Sequence, residues 1–158
     1  MTCELRSTEA SLDSATLRGV AVPYNEWAEI REGGTTFREK FLPEAVEVRE
    51  DVVLRMGHAE GSVPLARVGA GTLSFTQSAE GLLFEATLPE SRADLREALA
   101  RGDLDGSVSI GFRSVTDKKR IVRRSRVAYM REISSAVLHH LSIVERPAYA
   151  GAKSELIP

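Results

Sequence analysis

Alternation of apolar and polar positions with period two dominates this chain, and helical periodicity is confined to short stretches. Leu82, Phe84, Ala86 and Leu88 alternate with Leu83, Glu85 and Thr87, the signature of a strand with one buried face. Residues 16–22 predict a strand stopped by Pro23-Tyr24-Asn25, and residues 37–41 and 52–56 predict two more. Residues 64–75 read as one strand, joined to the strand at 81–88 through the polar segment 77–80. A mixed loop is expected from Glu26, with a turn at Gly33-Gly34. The best helical pattern is 91–101: Ser91 with Asp94 three residues later resembles a capping box, Leu95, Ala98 and Leu99 form the apolar stripe, and Gly102 stops it. A second, shorter helix is predicted over 42–47, with Pro43 and Glu44 in its first turn.

Two further strands carry the candidate chemistry. In Gly106-Ser107-Val108-Ser109-Ile110-Gly111-Phe112, strand alternation turns Ser109 away from its neighbours Val108 and Ile110. Gly111, two residues on, leaves space on the face of Ser109 for another backbone to approach. A serine on a strand beside open space suits a nucleophile, and equally suits a sheet serine that bonds nearby backbone. The run 132–144 is strongly β-prone: Leu138, His140, Ser142 and Val144 are expected on one face, and His139, Leu141 and Ile143 on the other. His58 follows the strand at 52–56 between Gly57 and Gly61, a position open to a site residue and to an exposed loop histidine alike.

Composition narrows the setting. A chain of 158 residues, 42% hydrophobic, is long enough for one domain with a substantial core. We expect a flexible tail over 1–14, a single domain over 15–150 and a C-terminal tail over 151–158. A net charge of −2 supplies no global field to recruit nucleic acid or an acidic membrane. The one cysteine, Cys3, has no internal partner, no apolar run reaches membrane-spanning length, and no signal-peptide core is seen, so a soluble intracellular protein is expected. The three histidines and one cysteine form no metal-ligand spacing, and neither metal nor cofactor is expected. Lys118, Lys119, Arg120, Arg123, Arg124 and Arg126 concentrate positive charge over 118–126; with only Tyr129 near, a solvated hairpin tip is the simpler account, and partner docking the second.

Several short motifs, in order, carry a resemblance. They are Gly19-Val20-Ala21-Val22-Pro23-Tyr24-Asn25, Phe37-Arg38-Glu39-Lys40-Phe41-Leu42-Pro43, Leu54-Arg55-Met56-Gly57-His58 and Gly81-Leu82. Ser107-Val108-Ser109-Ile110-Gly111-Phe112, Leu141-Ser142-Ile143-Val144 and Pro147-Ala148 complete the set. The chain resembles the prohead (capsid maturation) protease family of tailed bacteriophages, itself related to the herpesvirus assemblin proteases, from about Gly19 to Ala148. The resemblance implies a mainly β domain, a closed or nearly closed barrel of the assemblin type with a few peripheral α-helices. It implies Ser109, and not Ser107, as nucleophile, His58 as general base and His140 as the third member. An acidic residue stands at the third position in many phage members; histidine there matches the assemblin Ser-His-His arrangement. Glu132 or Glu145 would be the next candidates for that role.

The implied activity is a serine endopeptidase that acts inside the procapsid in the host cytoplasm, on scaffolding protein, major capsid protein and itself. Self-association to a homodimer is implied by the assemblin relation; nucleic acid and membrane are not expected partners. A third member that is histidine should leave the base weakly activated and the enzyme slow. Two other readings stand beside this one. The first is a non-catalytic capsid or scaffold interaction module of the same fold. The second is a small nucleic-acid-binding β-barrel using residues 118–126.

Overall fold

The computed structural model describes residues 15–57, 61–145, 149, 151–152 and 154–157. Within them the chain is mainly β, as the alternation predicts, with one α-helix. β1 (Ala15–Pro23), β7 (Leu73–Gln77), β8 (Gly81–Leu88) and β11 (Ser154–Ile157) form a four-stranded antiparallel sheet in the order β11-β1-β8-β7. The second sheet runs β2 (Ala28–Glu32), β3 (Thr35–Phe41), β10 (Tyr129–Ile143), β5 (Val53–Met56), β6 (Ala66–Arg67), with β4 (Val46–Glu47) and β9 (Val108–Ile121) also on β10. Neither sheet closes on itself, so the expected barrel is not what the described strands form.

β10 is the hub of the larger sheet. One of its edges is tiled in sequence by three parallel strands: β3 against Met130–Ile133, β4 against Ala136–Val137 and β5 against His140–Ile143. Its other edge carries β9 antiparallel along nearly its whole length. This tiling explains why residues 42–47 are not the expected helix. Between the pairs Phe41↔Ile133 and Val46↔Ala136 the chain has only to step along β10. Leu42 precedes a proline, which disfavours helical backbone, and Glu44 takes a left-handed φ of 62°. The Leu42 N–H donates to Ile133 O and the Ala136 N–H to Ala45 O, so the step is itself hydrogen-bonded to β10.

Other differences have local causes. The strand expected over 64–75 is interrupted by a 3-10 turn at Val68–Ala70, where Gly71 closes the turn with φ 73° and splits β6 from β7. β2 occupies the stretch read as loop, because the Gly33-Gly34 turn folds it back onto β3. The single helix, α1 (Ala93–Arg101), ends at left-handed Gly102 as expected, but its N-cap is Arg92, which lacks a side-chain cap bond and pairs instead with Asp94. Residues 118–126 lie at the tip of the long β9–β10 hairpin, where Arg126 pairs with Glu29 of β2.

The core lies between the sheets. Leu17, Phe41, Leu54, Leu82, Leu88 and Ile133 are all fully buried, each such side chain contributing about 1.5–3 kcal/mol of burial. Phe41 meets Phe112 edge-on with ring centroids 4.9 Å apart, bringing β3 and β9 together on that core. Within the segment read as a C-terminal tail, Ser154–Ile157 form β11, the edge partner of β1. The same segment props the start of β9: Ser154 donates through its N–H and its hydroxyl to Gly106 O, and the Val108 N–H donates to Ala152 O.

Candidate active site

Strand register decides which side chains meet on the face of β10 turned away from the core. Leu141 lies opposite Ile110 and Ile143 opposite Val108; Leu141, Ile143 and Val108 are buried among the core residues. The alternate pairs face the other way: His140 with Gly111, and Ser142 with Ser109. On the far edge of β10 the same face is continued by Val53, opposite His140, and Arg55, opposite Ser142. Ser109 and His140 therefore share one face of two adjacent strands.

That phase depends on a bulge. β10 shifts register between Leu138 and His140, so that Leu138 pairs with Phe112 and His140 with the next residue, Gly111. Leu138 and Leu141, three residues apart, are both buried, a spacing that regular alternation forbids. The expectation that Leu138 shares a face with His140 is corrected accordingly: Leu138 belongs to the core face. His139 is the extra residue and is exposed. Without the bulge, burying Leu138 would have buried position 140 as well.

Gly111 has a more specific job than the expected approach of a backbone. A Cβ built on Gly111 would lie 2.1 Å from His140 Cε1, 2.5 Å from Nδ1 and 2.8 Å from Nε2. The imidazole thus lies flat against the glycine, in the space a side chain would fill. Its ring stands two residues along β9 from Ser109, about 7 Å at the usual rise per residue.

The two serines of the motif differ in access. Ser107 is 1% exposed, and its hydroxyl has no hydrogen-bond partner among the described residues. Its backbone is fixed at both ends, the N–H donating to Asp105 Oδ1 and the carbonyl accepting from the Val144 N–H. Ser109 is partly exposed, and a cleft of about 680 Å³ runs along β9 beside it, on the face opposite to its side chain. Val108, Ile110 and Phe112 form one side of the cleft, and Ile30 of β2 and Arg131 of β10 lie among its other walls.

His58 lies outside the described residues. Its sequence neighbour Gly57 is described and is held by β10 twice: the Gly57 N–H donates to Ile143 O at 3.0 Å, and the Ser142 hydroxyl donates to Gly57 O at 2.6 Å. Gly57 adopts φ 64°, a left-handed conformation that turns the chain as it leaves β5. The alternative third members stand elsewhere. Glu132 pairs with Lys40 far up β10, and Glu145 is an exposed residue past the end of the strand.

A buried polar network that the sequence does not reveal closes the cleft near β3. Glu39, 3% exposed, accepts from the Arg131 guanidinium and, at 3.0 Å, from the Tyr149 hydroxyl. Burial, reinforced by the adjacent Glu39 carboxylate, pushes the Tyr149 phenol well above its ordinary range. Arg131 also approaches Asp117, and Asp117 accepts from the Ser114 hydroxyl. The network joins β3, β9, β10 and the segment before β11, so its evident role is to fix the cleft's shape.

Among the described residues no three His, Cys, Asp or Glu side chains gather as a metal site, and no helix is long and apolar enough to cross a membrane. Comparison with curated proteins and with solved structures gives no match. A family model does match, that of the caudovirus prohead serine protease, over residues 1–157. With the match spanning almost the whole chain, including both strands that carry Ser109 and His140, the protein belongs to the caudovirus prohead serine protease family.

Proposed function

We propose that this protein is a serine endopeptidase in which Ser109 is the nucleophile, His58 the general base and His140 the group that orients the base. The observation that carries this reading is the shared face of Ser109 and His140, with Gly111 clearing the space in which the His140 ring lies. The His140 ring lies against Gly111, about 7 Å along β9 from Ser109 at the usual strand rise, a spacing that suits one imidazole placed between them with a bond at each nitrogen. A base so placed takes the Ser109 proton through one nitrogen and gives the other N–H to His140.

Acyl transfer then follows the ordinary course. Ser109 Oγ attacks the peptide carbonyl as the base accepts its proton, and the base returns that proton to the leaving amine. Water repeats the sequence on the acyl-enzyme. A neutral imidazole as third member stabilises the developing imidazolium less than a carboxylate does, which makes for a slow enzyme. Slow chemistry is tolerable where substrate is crowded, as in a closed shell.

The cleft supports peptide as the substrate class. The Ser107 carbonyl points to β10 and the Val108 N–H points away from it, so strand alternation turns the backbone groups of Ile110 and Phe112 to the cleft side. Among the described strands β9 pairs with β10 alone, and an extended peptide laid along that edge would find unused donors and acceptors. Membership of the prohead serine protease family supports capsid maturation inside the procapsid as the setting. Major capsid protein, scaffolding protein and the protease itself are the substrates we propose, with a homodimer as the working form.

The test is co-expression with the major capsid protein of the same phage, wild type against Ser109→Ala, read by intact mass. Shortening of the capsid protein by the wild type alone is the expected result. Cleavage that survives Ser109→Ala would remove Ser109 from the mechanism. Intact capsid protein in a pair that assembles normally would favour the non-catalytic interaction module.

A further inference from the structure

Ser142 lies on β10 between the strand that carries Ser109 and the strand that leads to His58. It is the cross-strand partner of Ser109 on one edge and of Arg55 on the other. It is 0% exposed, and its hydroxyl donates to the carbonyl of Gly57 at 2.6 Å. That carbonyl belongs to the peptide that joins Gly57 to His58. The Gly57 N–H is bonded in turn to Ile143 O, so consecutive residues of β10 grip both polar groups of Gly57. Gly57 is the residue at which the chain leaves the sheet, with φ 64° and, among the described residues apart from its chain neighbours, nothing within 4 Å of a Cβ position. Glycine is needed there for its conformation and not for space, and a conformation of this kind holds its direction only while its ends are fixed.

We propose that Ser142 is a positioning residue for the general base: its hydroxyl fixes the peptide preceding His58 in register with Ser109. The inference rests on the reading of His58 as base and Ser109 as nucleophile. It assigns the second β10 motif, Leu141-Ser142-Ile143-Val144, a role distinct from that of His140. His140 orients the base from the side chain; Ser142 orients it from the backbone. Backbone placement matters because a displacement of about 1 Å between base and nucleophile costs roughly 100-fold in rate.

The experiment follows phosphonylation of Ser109 by a serine-directed fluorophosphonate as a function of pH, read by intact mass, so that no natural substrate is required. Wild type, Ser142→Ala, Ser142→Cys and Ser142→Thr are compared, each rate being normalised to the folded fraction measured by circular dichroism. Ser142→Ala and Ser142→Cys are expected to lower the limiting rate by roughly 10- to 100-fold with little change in probe affinity. The midpoint of the acid limb should move to lower pH, because a base held less firmly against His140 has a less stabilised imidazolium. Ser142→Thr, which keeps the hydroxyl, should recover most of the rate.

Wild-type rates and an unchanged acid limb in folded Ser142→Cys would overturn the proposal, even if Ser142→Ala fails to fold. A loss equal in all three variants would also overturn it, since packing and not the hydroxyl would then be responsible. Ser109→Ala separates this inference from the reading beneath it. If the probe still labels the protein at wild-type rate in Ser109→Ala, the nucleophile is wrong and the role of Ser142 falls with it. If Ser109→Ala is inert and the Ser142 variants behave as wild type, only the positioning role fails.

Discussion

The His140 imidazole lies against Gly111 of the neighbouring strand, its Cε1 only 2.1 Å from where a Cβ on that glycine would stand. Any side chain at 111 must displace the ring. Gly111 carries no positive φ, so its identity is dictated by this contact and not by backbone conformation.

Gly111→Ala is therefore expected to fold and to fail chemically. The clash falls on ring atoms of a side chain that can rotate, so stability should drop by only about 1–3 kcal/mol. Displacing His140 should reduce fluorophosphonate labelling of Ser109 by roughly 10- to 100-fold. Thermal unfolding and labelling rate, measured on the same sample, check both halves.

The adjacent histidines should differ sharply. His139 is the exposed extra residue of the bulge, and His139→Ala should leave labelling within about twofold and stability within about 0.5 kcal/mol of wild type. His140→Ala should cost roughly 100-fold, less than the loss expected where the third member is a carboxylate. His140→Asp should lose less rate than His140→Ala, because a carboxylate can still accept the second N–H of the base. A pH–rate series on the three variants separates these outcomes.

Gly106 couples the end of the chain to the start of β9. It holds φ 80°, and a Cβ there would lie 2.0 Å from Ser154 O, a backbone atom that cannot swing aside. Gly106→Ala should destabilise the protein by about 3 kcal/mol or more through strain and detachment of β11. Urea unfolding at neutral pH measures the loss. A variant as stable as wild type would show that the β11 anchor is dispensable.

Tyr149 makes stability fall at alkaline pH. Burial first, and then the Glu39 carboxylate, raise its phenol above the ordinary value of 10.0. The folded chain holds this proton more tightly than the unfolded chain does. The associated stability is fully present below the unfolded value and is lost as pH rises above about 10. Tyr149→Phe should be less stable than wild type at neutral pH by about 1–3 kcal/mol, because Glu39 loses a buried donor. It should also lose less stability than wild type between about pH 9 and pH 11. Parallel urea titrations across that range test the sign.

Much of this protein follows from local pattern alone. Period-two alternation is enough to define β1 and β8 and to turn Ser109 away from Val108 and Ile110, because a strand offers only two faces. Gly102 stops α1 because glycine readily takes the left-handed conformation found there. The short motifs between Gly19 and Ala148, taken together in order, point to the family that the match over residues 1–157 shows.

Tertiary structure decided what depends on partners distant in sequence. Residues 42–47 become a turn and a short strand because β10 offers them pairing positions that a helix would miss. Residues 28–32 become β2 because a folded-back β3 supplies hydrogen bonds that the segment's own polarity does not advertise. The ion pair of Glu39 with Arg131 joins residues 92 positions apart. The face on which His140 lies is set by one inserted residue between Leu138 and His140, and an insertion in register exists only relative to β9. Alternation along β10 could say that His140 and Ser142 point the same way; which way that was, and that Gly111 and Ser109 wait opposite them, required the partner strand.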